Sequence, residues 1–388
     1  MKTILIFSAY YYPHLGGIER YIDGLMHELI KKSINVILVT SNYNDSYSYE
    51  EIDKIKIYRL PVFNIFKNRY PIIKKNKEYK HIIDKLNKYS IDCIIVNTRF
   101  HLTSHIGIKY ANKIKKPVYL IEHGSNYVTV DNKFLDFFAN RYEDILTYKI
   151  KKKVTGFYGV SNACSDWLVN FGIKASGTWY NSIDSHQEIP KKKNHKTINF
   201  LYAGRLIKQK GVENILNSFS KLSKKYNNIM LYIAGDGPEL EKYRNKFKTK
   251  NIIFLGKLSY EELKKYYSLT DIFLYPPLWP EGLPTSILEA GLMKCSVIGT
   301  NQGGINEIII DKKNGLLIDT SISSLESAME ELIVNKELRE KISKQLYLDV
   351  NKKFSWESTA NVILNDMEMK KWKSVVYYYQ YIIRMKNF

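Results

Sequence analysis

The stretch DIFLYPPLWPEGLPTSILEA, residues 271–290, holds the reading from which the fold follows. DIFLYPP has the length and the apolar, aromatic content of a short buried strand. EGLPTSILEA then supplies Gly282 and Pro284 as turn residues and a helical apolar pattern leading to Glu289. Strand, loop and helix in that order form half of a βαβ unit. The same segment sets two carboxylates, Glu281 and Glu289, eight positions apart. With Glu281 in the loop and Glu289 about two turns into the helix, they stand roughly 12 Å apart. That span matches the separation of the sugar ring from the ribose in a nucleotide-sugar. The helix N-terminus between them offers free N–H groups and the positive dipole end to a diphosphate. A capped surface helix with ordinary acids fits the fragment equally well, so the flanking sequence has to decide.

Working outward, the strand–helix alternation repeats. INFLYAG, IMLYIAGDG, IIFLGKL, CSVIGT and GLLID surround DIFLYPP in the second half of the chain. TILIFSAY, NVILVTS, IDCIIVNT, PVYLIEHG and GFYGVS occupy the first half, with amphipathic stretches such as Tyr21–Ile30 and Tyr79–Tyr89 between them. Strands that are apolar throughout belong to parallel sheets buried on both faces. The expectation is an α/β protein of two doubly wound domains, the size that 388 residues suggest. The first domain is expected over residues 1–184, a polar lysine-rich linker over 185–197, and the second domain over 198–365. A basic, aromatic helix over 366–388 follows.

Several classes are disfavoured. No window approaches the apolar length of a membrane span, and MKTILIFSAYYYPHLGG reads as a first strand, lacking a signal cleavage site. Cys93, Cys164 and Cys295 are widely separated, which argues against a disulfide framework or zinc site and fits a reducing cytoplasm. His101 and His105 have helical ligand spacing but no third ligand beside them. There is no Walker A sequence, no DxD and no repeat. AGDGPEL lacks the third glycine of a dinucleotide fingerprint.

Four further sites fit the carboxylate pair. AGRLIKQKG puts Arg205 and Lys210 after a strand, framed by Gly204 and Gly211. An Arg fork and a Lys point charge there can hold a diphosphate. YYPHLGGIER puts Gly16 and Gly17 where the first helix opens, so backbone can approach a phosphate or sugar. His123 ends the strand PVYLIEHG, where open sheets bind ligands. NQGGINEIIIDKKNG sets Gly303 and Gly304 before a short helix containing Glu307.

These motifs, in this order, resemble the glycosyltransferase family 4 (group 1) enzymes of GT-B architecture, most strongly from Leu201 to Asp319. The resemblance implies two Rossmann-like domains facing across a cleft, the last helix returning to the first domain. It implies retaining, metal-independent transfer from a nucleotide-sugar, with no cofactor and a UDP-sugar favoured over a GDP-sugar. Arg205 and Lys210 would take the diphosphate, Glu281 the donor sugar and Glu289 the ribose. Backbone at Gly282, Leu283 and Pro284, with Thr285 opening the helix, would meet phosphate and sugar. His123 would line the sugar site, and Gly16 and Gly17 would approach the phosphate. The base would rest near Gly256, Lys257 and Leu258. The family commonly reads Asn-Gly-Val-Asp at the junction, where this chain has Asn181, Ser182, Ile183 and Asp184.

The net charge is +20. Between Lys54 and Lys88 there are eleven Lys or Arg and two acids, whereas the rest of residues 1–190 is balanced at sixteen of each. Lys67, Arg69, Lys74, Lys75 and Lys77 interleave there with Phe63, Phe66, Tyr70 and Tyr79. This segment is expected to meet an anionic membrane surface or a lipid-linked acceptor on the cytoplasmic side; a solvated face in a lysine-rich protein is the plainer account. The expected function is hexosyl transfer to a glycan or lipid-linked glycan in bacterial surface polysaccharide assembly. Two competing readings are an epimerase or phosphorylase on the same fold and a basic nucleic-acid binder, for which no recognisable module is present.

Overall fold

The computed structural model describes residues 2–14, 16–44, 46–63, 70–127, 129, 132–185 and 196–368. The first domain runs β1 (Thr3–Phe7), α1 (Gly17–Lys31), β2 (Asn35–Asn42), β3 (Tyr49–Ile52), β4 (Ile55–Phe63), β5 (Ile72–Ile73) and α2 (Lys77–Leu86). It continues with β6 (Cys93–Asn97), α3 (Leu102–Lys113), β7 (Val118–Glu122), α4 (Lys133–Ile150), β8 (Gly156–Gly159), α5 (Asn162–Trp167) and β9 (Gly177–Thr178). The sheet order is β3-β4-β2-β1-β6-β7-β8-β9, with β5 on β4. Apart from β3 and β5 the pairings are parallel. Strand β1 shows why its sequence is apolar without alternation. Leu5 and Phe7 enter the core on one face while Ile4 and Ile6 enter the core on the other.

The second domain comprises β10 (Ile198–Ala203), α6 (Val212–Leu222), β11 (Ile229–Ala234), α7 (Leu240–Lys246), β12 (Ile252–Gly256), α8 (Tyr260–Leu269) and β13 (Ile272–Tyr275). It ends with α9 (Thr285–Leu292), β14 (Ser296–Thr300), α10 (Ile305–Ile308), β15 (Leu316–Ile318), α11 (Ile322–Val334) and α12 (Lys336–Lys353). Its parallel sheet is ordered β12-β11-β10-β13-β14-β15. The order reverses between β10 and β13, and a crevice at the carboxyl ends of two such strands is where open α/β sheets bind ligands. The loops after those two strands carry Arg205 and Glu281.

The chain crosses back to the first domain earlier than residue 366. Ile183 pairs with Ser355 at the crossing, and a helix over residues 356–368 follows. Trp356, Ala360 and Ile363 pack into the first domain's core at helical spacing. Gly24 admits the Trp356 ring, which a Cβ at that position would overlap. Residues 369–388, most of the expected returning helix, lie outside the described residues, as do linker residues 186–195. At the junction Ser182 has no left-handed backbone, so a side chain is accommodated. Its hydroxyl lies 2.7 Å from that of Thr359.

The basic segment of residues 54–88 is not one solvated face. Its first third is β4, a mostly buried strand in which Arg59 pairs with Glu50. Phe66, Lys67 and Arg69 lie outside the described residues. Lys74 sits over the Phe63 ring at 4.9 Å. No helix among the described residues is long and apolar enough to cross a membrane.

Candidate functional site

In the second domain, tight backbone packing sets the loops. A Cβ at Gly235 would overlap the Gly204 carbonyl, and one at Gly211 (φ 70°) would overlap that of Pro276. Arg205 is exposed, and among the described residues its guanidinium has no ion-pair or hydrogen-bond partner. Lys210 ends a short 3₁₀ turn, Lys208–Lys210. Its ammonium donates to Glu281 Oε1 at 2.6 Å and to the Tyr275 hydroxyl at 3.0 Å. Tyr275 in turn donates to Glu281 Oε2 at 2.8 Å. Burial, then the Glu281 charge, holds the Tyr275 phenol well above its ordinary value, so it stays a neutral donor. Lys210 and Glu281 are thus brought into one triangle. One ammonium N–H of Lys210 remains for another acceptor.

Glu289 lies in α9, buried, and accepts from the Tyr267 hydroxyl at 3.1 Å. Arg20 of α1 reaches it from the other domain at 3.8 Å. Burial raises the Glu289 pKa, while Arg20 and Tyr267 pull it down. Thr285 opens α9 behind Pro284, and no side chain caps that end. Gly304 donates its N–H to the Glu281 carbonyl at 2.9 Å, and a Cβ there would overlap the Gly282 carbonyl. Gly256 ends β12, two strands from β10, and Lys257 and Leu258 follow it. Gly256 is left-handed (φ 69°) with open space where a Cβ would stand.

From the first domain, His123 follows β7. Asn97 Nδ2 donates to the Phe7 carbonyl, which turns Oδ1 toward His123 Nε2 at 2.9 Å. Nε2 must therefore carry the proton, leaving Nδ1 as an acceptor. Burial, with a smaller push from His101, lowers the imidazole to about 3, so it is neutral. Glu122 Oε1 accepts the N–H groups of His123 and Gly124, each at 3.1 Å. Its Oε2 accepts from Arg99 at 2.9 Å, and Arg99 also donates to Glu143 at 2.6 Å. Gly16 stands at the N-cap of α1, and Gly17 has open space where a side chain would be.

The two halves touch. A Cβ at Gly282 would come within 2.9 Å of the His123 carbonyl. Asn181 donates to the Leu283 carbonyl at 3.3 Å. Glu307 of α10 accepts the N–H groups of Asn162 and Ala163 at 2.8 and 3.0 Å, neutralising the start of α5 across the interface.

Sequence reasoning did not anticipate Arg20, Tyr267, Tyr275, Arg99 or Glu122. Arg20 stands inside the quoted GGIER motif, yet nothing in its spacing points to a carboxylate 269 positions away. His101 and His105 form no metal site. His101 contacts Thr98 Oγ1 at 2.7 Å and His105 the Arg99 carbonyl at 3.1 Å. Among the described residues no group of three His, Cys, Asp or Glu could hold a metal ion. All three cysteines are buried thiols outside any disulfide.

The chain is 28% identical over 377 residues to an uncharacterized glycosyltransferase, MJ1069, of Methanocaldococcus jannaschii, covering 92% of this chain and 96% of that protein. It is 22% identical over 380 residues to the phosphatidylinositol N-acetylglucosaminyltransferase GPI3 subunit of Saccharomyces cerevisiae, covering 92% and 81%. The Anabaena protein HepE in complex with UDP shares the fold, with a TM-score of 0.73 at 14% identity over 95% of this chain and all of that one. The family model "Glycosyltransferase Family 4" matches residues 15–187, and the model "Glycosyl transferases group 1" matches residues 184–348. With the two models meeting at the junction and spanning both halves of the cleft, this chain belongs to the group 1 glycosyltransferases of family 4 type, with a GT-B fold.

Proposed function

We propose that this enzyme transfers a hexose-type sugar from a nucleotide-diphosphate sugar to a hydroxyl of a glycan or lipid-linked acceptor, with retention and without a divalent metal. The observation that carries the reading is the Lys210–Tyr275–Glu281 triangle, whose loop touches the His123 turn at Gly282, together with an Arg205 that is unpaired among the described residues. Arg205 and the free N–H of Lys210 suit the diphosphate, Glu281 and His123 Nδ1 suit sugar hydroxyls, and Glu289 suits the ribose. UDP is favoured as the nucleotide because HepE, of the same fold, was solved with it. A lipid-linked acceptor is favoured because the GPI3 relative is named for glycosylating phosphatidylinositol. Assembly of a cell-surface glycan is the process such a transfer would serve.

In the reaction the anomeric C–O bond to the diphosphate breaks and the acceptor oxygen bonds to the same face of the sugar. The acceptor proton passes to the departing phosphate oxygen. The negative charge that develops there falls to Arg205, Lys210 and the uncapped start of α9.

The test is calorimetric binding of UDP-glucose, UDP-galactose, UDP-N-acetylglucosamine and GDP-mannose with metal chelated, wild type beside Glu289→Ala. Selective binding weakened by the substitution supports the reading. No binding to any of the four, or binding indifferent to Glu289, overturns it.

Two predictions follow the same assay. Glu289, held above the ordinary carboxylate value by burial, keeps its proton to higher pH when folded than when unfolded. Its contribution to stability is therefore greatest below the unfolded value and declines as pH rises through the folded one. Donor affinity should move oppositely, since ribose hydroxyls need the ionised acceptor. Glu289→Gln should flatten both profiles and weaken donor binding about tenfold or more; an unchanged pH profile would remove Glu289 from the donor site. Gly304→Ala should displace the Gly282 carbonyl and cost about tenfold or more in donor affinity. Circular dichroism should show both domains intact, and normal donor affinity would mean the loop accommodates the methyl group.

A further inference from the structure

Helix α4 is turned inside out relative to an ordinary surface helix. Its inward face carries Glu143, Leu146, Thr147 and Ile150, all buried. The outward face carries Phe134, Phe137, Phe138, Tyr142, Ile145 and Tyr148, all exposed, Phe134 at 71% and Tyr148 at 72%. Phe134, Phe138, Arg141, Ile145 and Tyr148 follow a 4-3-4-3 spacing, which lays them in one stripe along the helix. The other exposed side chains described on α4 are Leu135, Arg141 and Lys149, and Lys152 and Lys153 are exposed just beyond its end. No acid is exposed on α4. Asp136 accepts from the Thr129 hydroxyl at 2.7 Å, and Asp144 accepts from Tyr127 at 2.7 Å and Arg141 at 3.3 Å.

We propose that the outer face of α4 docks this enzyme on an anionic phospholipid surface. The occupant follows from charge and composition. A contiguous aromatic stripe rimmed by cations, with no exposed acid among the described residues of α4, matches an interfacial helix, whose apolar face enters the headgroup boundary while Lys and Arg meet anionic lipid. The surface continues into the basic segment, because Tyr70 contacts α4 through Tyr142, hydroxyl to hydroxyl at 3.4 Å. It is also tied to the cleft. Arg99 joins Glu143 of α4 to Glu122, which holds the backbone of His123 and Gly124. Docking would therefore set the sugar site close to the membrane plane. That consequence rests on the transferase reading with a lipid-linked acceptor; the docking surface itself does not.

The experiment is co-sedimentation of the full chain with phosphatidylglycerol–phosphatidylcholine vesicles and with phosphatidylcholine vesicles alone. The variants are Phe134→Ser/Phe138→Ser/Ile145→Ser and Lys149→Ser/Lys152→Ser. UDP binding is measured on every preparation, and sedimentation velocity on the wild type and the triple variant. Wild type should prefer the anionic vesicles, the triple variant should lose about a hundredfold in affinity, and the lysine variant should lose the anionic preference. Retained UDP binding in the triple variant would show that its fold persists. Wild type that ignores anionic vesicles, or a triple variant that binds them as well as wild type, overturns the proposal. So does a reversible dimer that the triple variant abolishes while vesicles are ignored, which would make a second copy the occupant. Vesicle binding without UDP binding upholds the surface and sinks the donor reading; UDP binding without vesicle binding does the reverse.

Discussion

Arg205→Ala is expected to lower kcat about 10²–10³-fold at saturating donor, the usual loss when one donor to a developing oxyanion is removed. The magnitude separates catalysis from stability. Arg205 is exposed and has no ion-pair partner among the described residues, so its removal leaves no buried charge behind. Stability should change by no more than about 0.5 kcal/mol. Lys210→Ala would be harder to interpret, because it strips Glu281 of a 2.6 Å ion pair as well as removing a donor. Arg205→Lys sharpens the test, since it keeps the charge and loses the fork that grips two phosphate oxygens at once. Partial recovery of kcat in that variant is expected. Turnover near that of wild type in Arg205→Ala, under saturating donor, would take Arg205 out of the reaction.

What was legible in the sequence followed from periodicity and from local loop chemistry. The eleven strands read from apolar runs all form, because strands buried on both faces leave no room for alternation. Glu281 does precede the helix that carries Glu289. Strand β4 was hidden by its charges, since Lys56 and Arg59 read as solvated until Glu50 is seen to pair with Arg59. Contacts between distant segments were equally out of reach. Arg20 meets Glu289, and Glu307 caps α5, only because the two domains face each other. The return crossing at Ser355 lies inside a helical run, where composition changes too little to mark it. The outward aromatic stripe of α4 runs against the rule that such stripes mark the buried side of a helix; only the packing of Glu143, Leu146 and Ile150 shows which side is in.

The stability of the first domain should rest heavily on a further such contact, the Arg99 cluster. Arg99→Met is expected to destabilise it by on the order of 3–5 kcal/mol, the cost of stranding buried charge. Arg99 is 0% exposed, and its two partners, Glu122 and Glu143, are buried with it. Methionine matches the stem of arginine but leaves two carboxylates without a counter-charge in a site closed to water. Glu143→Gln, by contrast, keeps the Arg99–Glu122 pair and should cost less, because one charge pair survives. Amide exchange in β6 and β7 under urea would measure the difference within the domain itself. The functional consequence follows the same chain of contacts. Glu122 fixes the N–H groups of His123 and Gly124, so Arg99→Met should disorder the turn that holds the imidazole and depress donor turnover at temperatures where the fold persists. Loss of only about 1 kcal/mol would mean that water enters to solvate the carboxylates, and the cluster would then be a local feature of the sheet rather than the support of the His123–Gly124 turn.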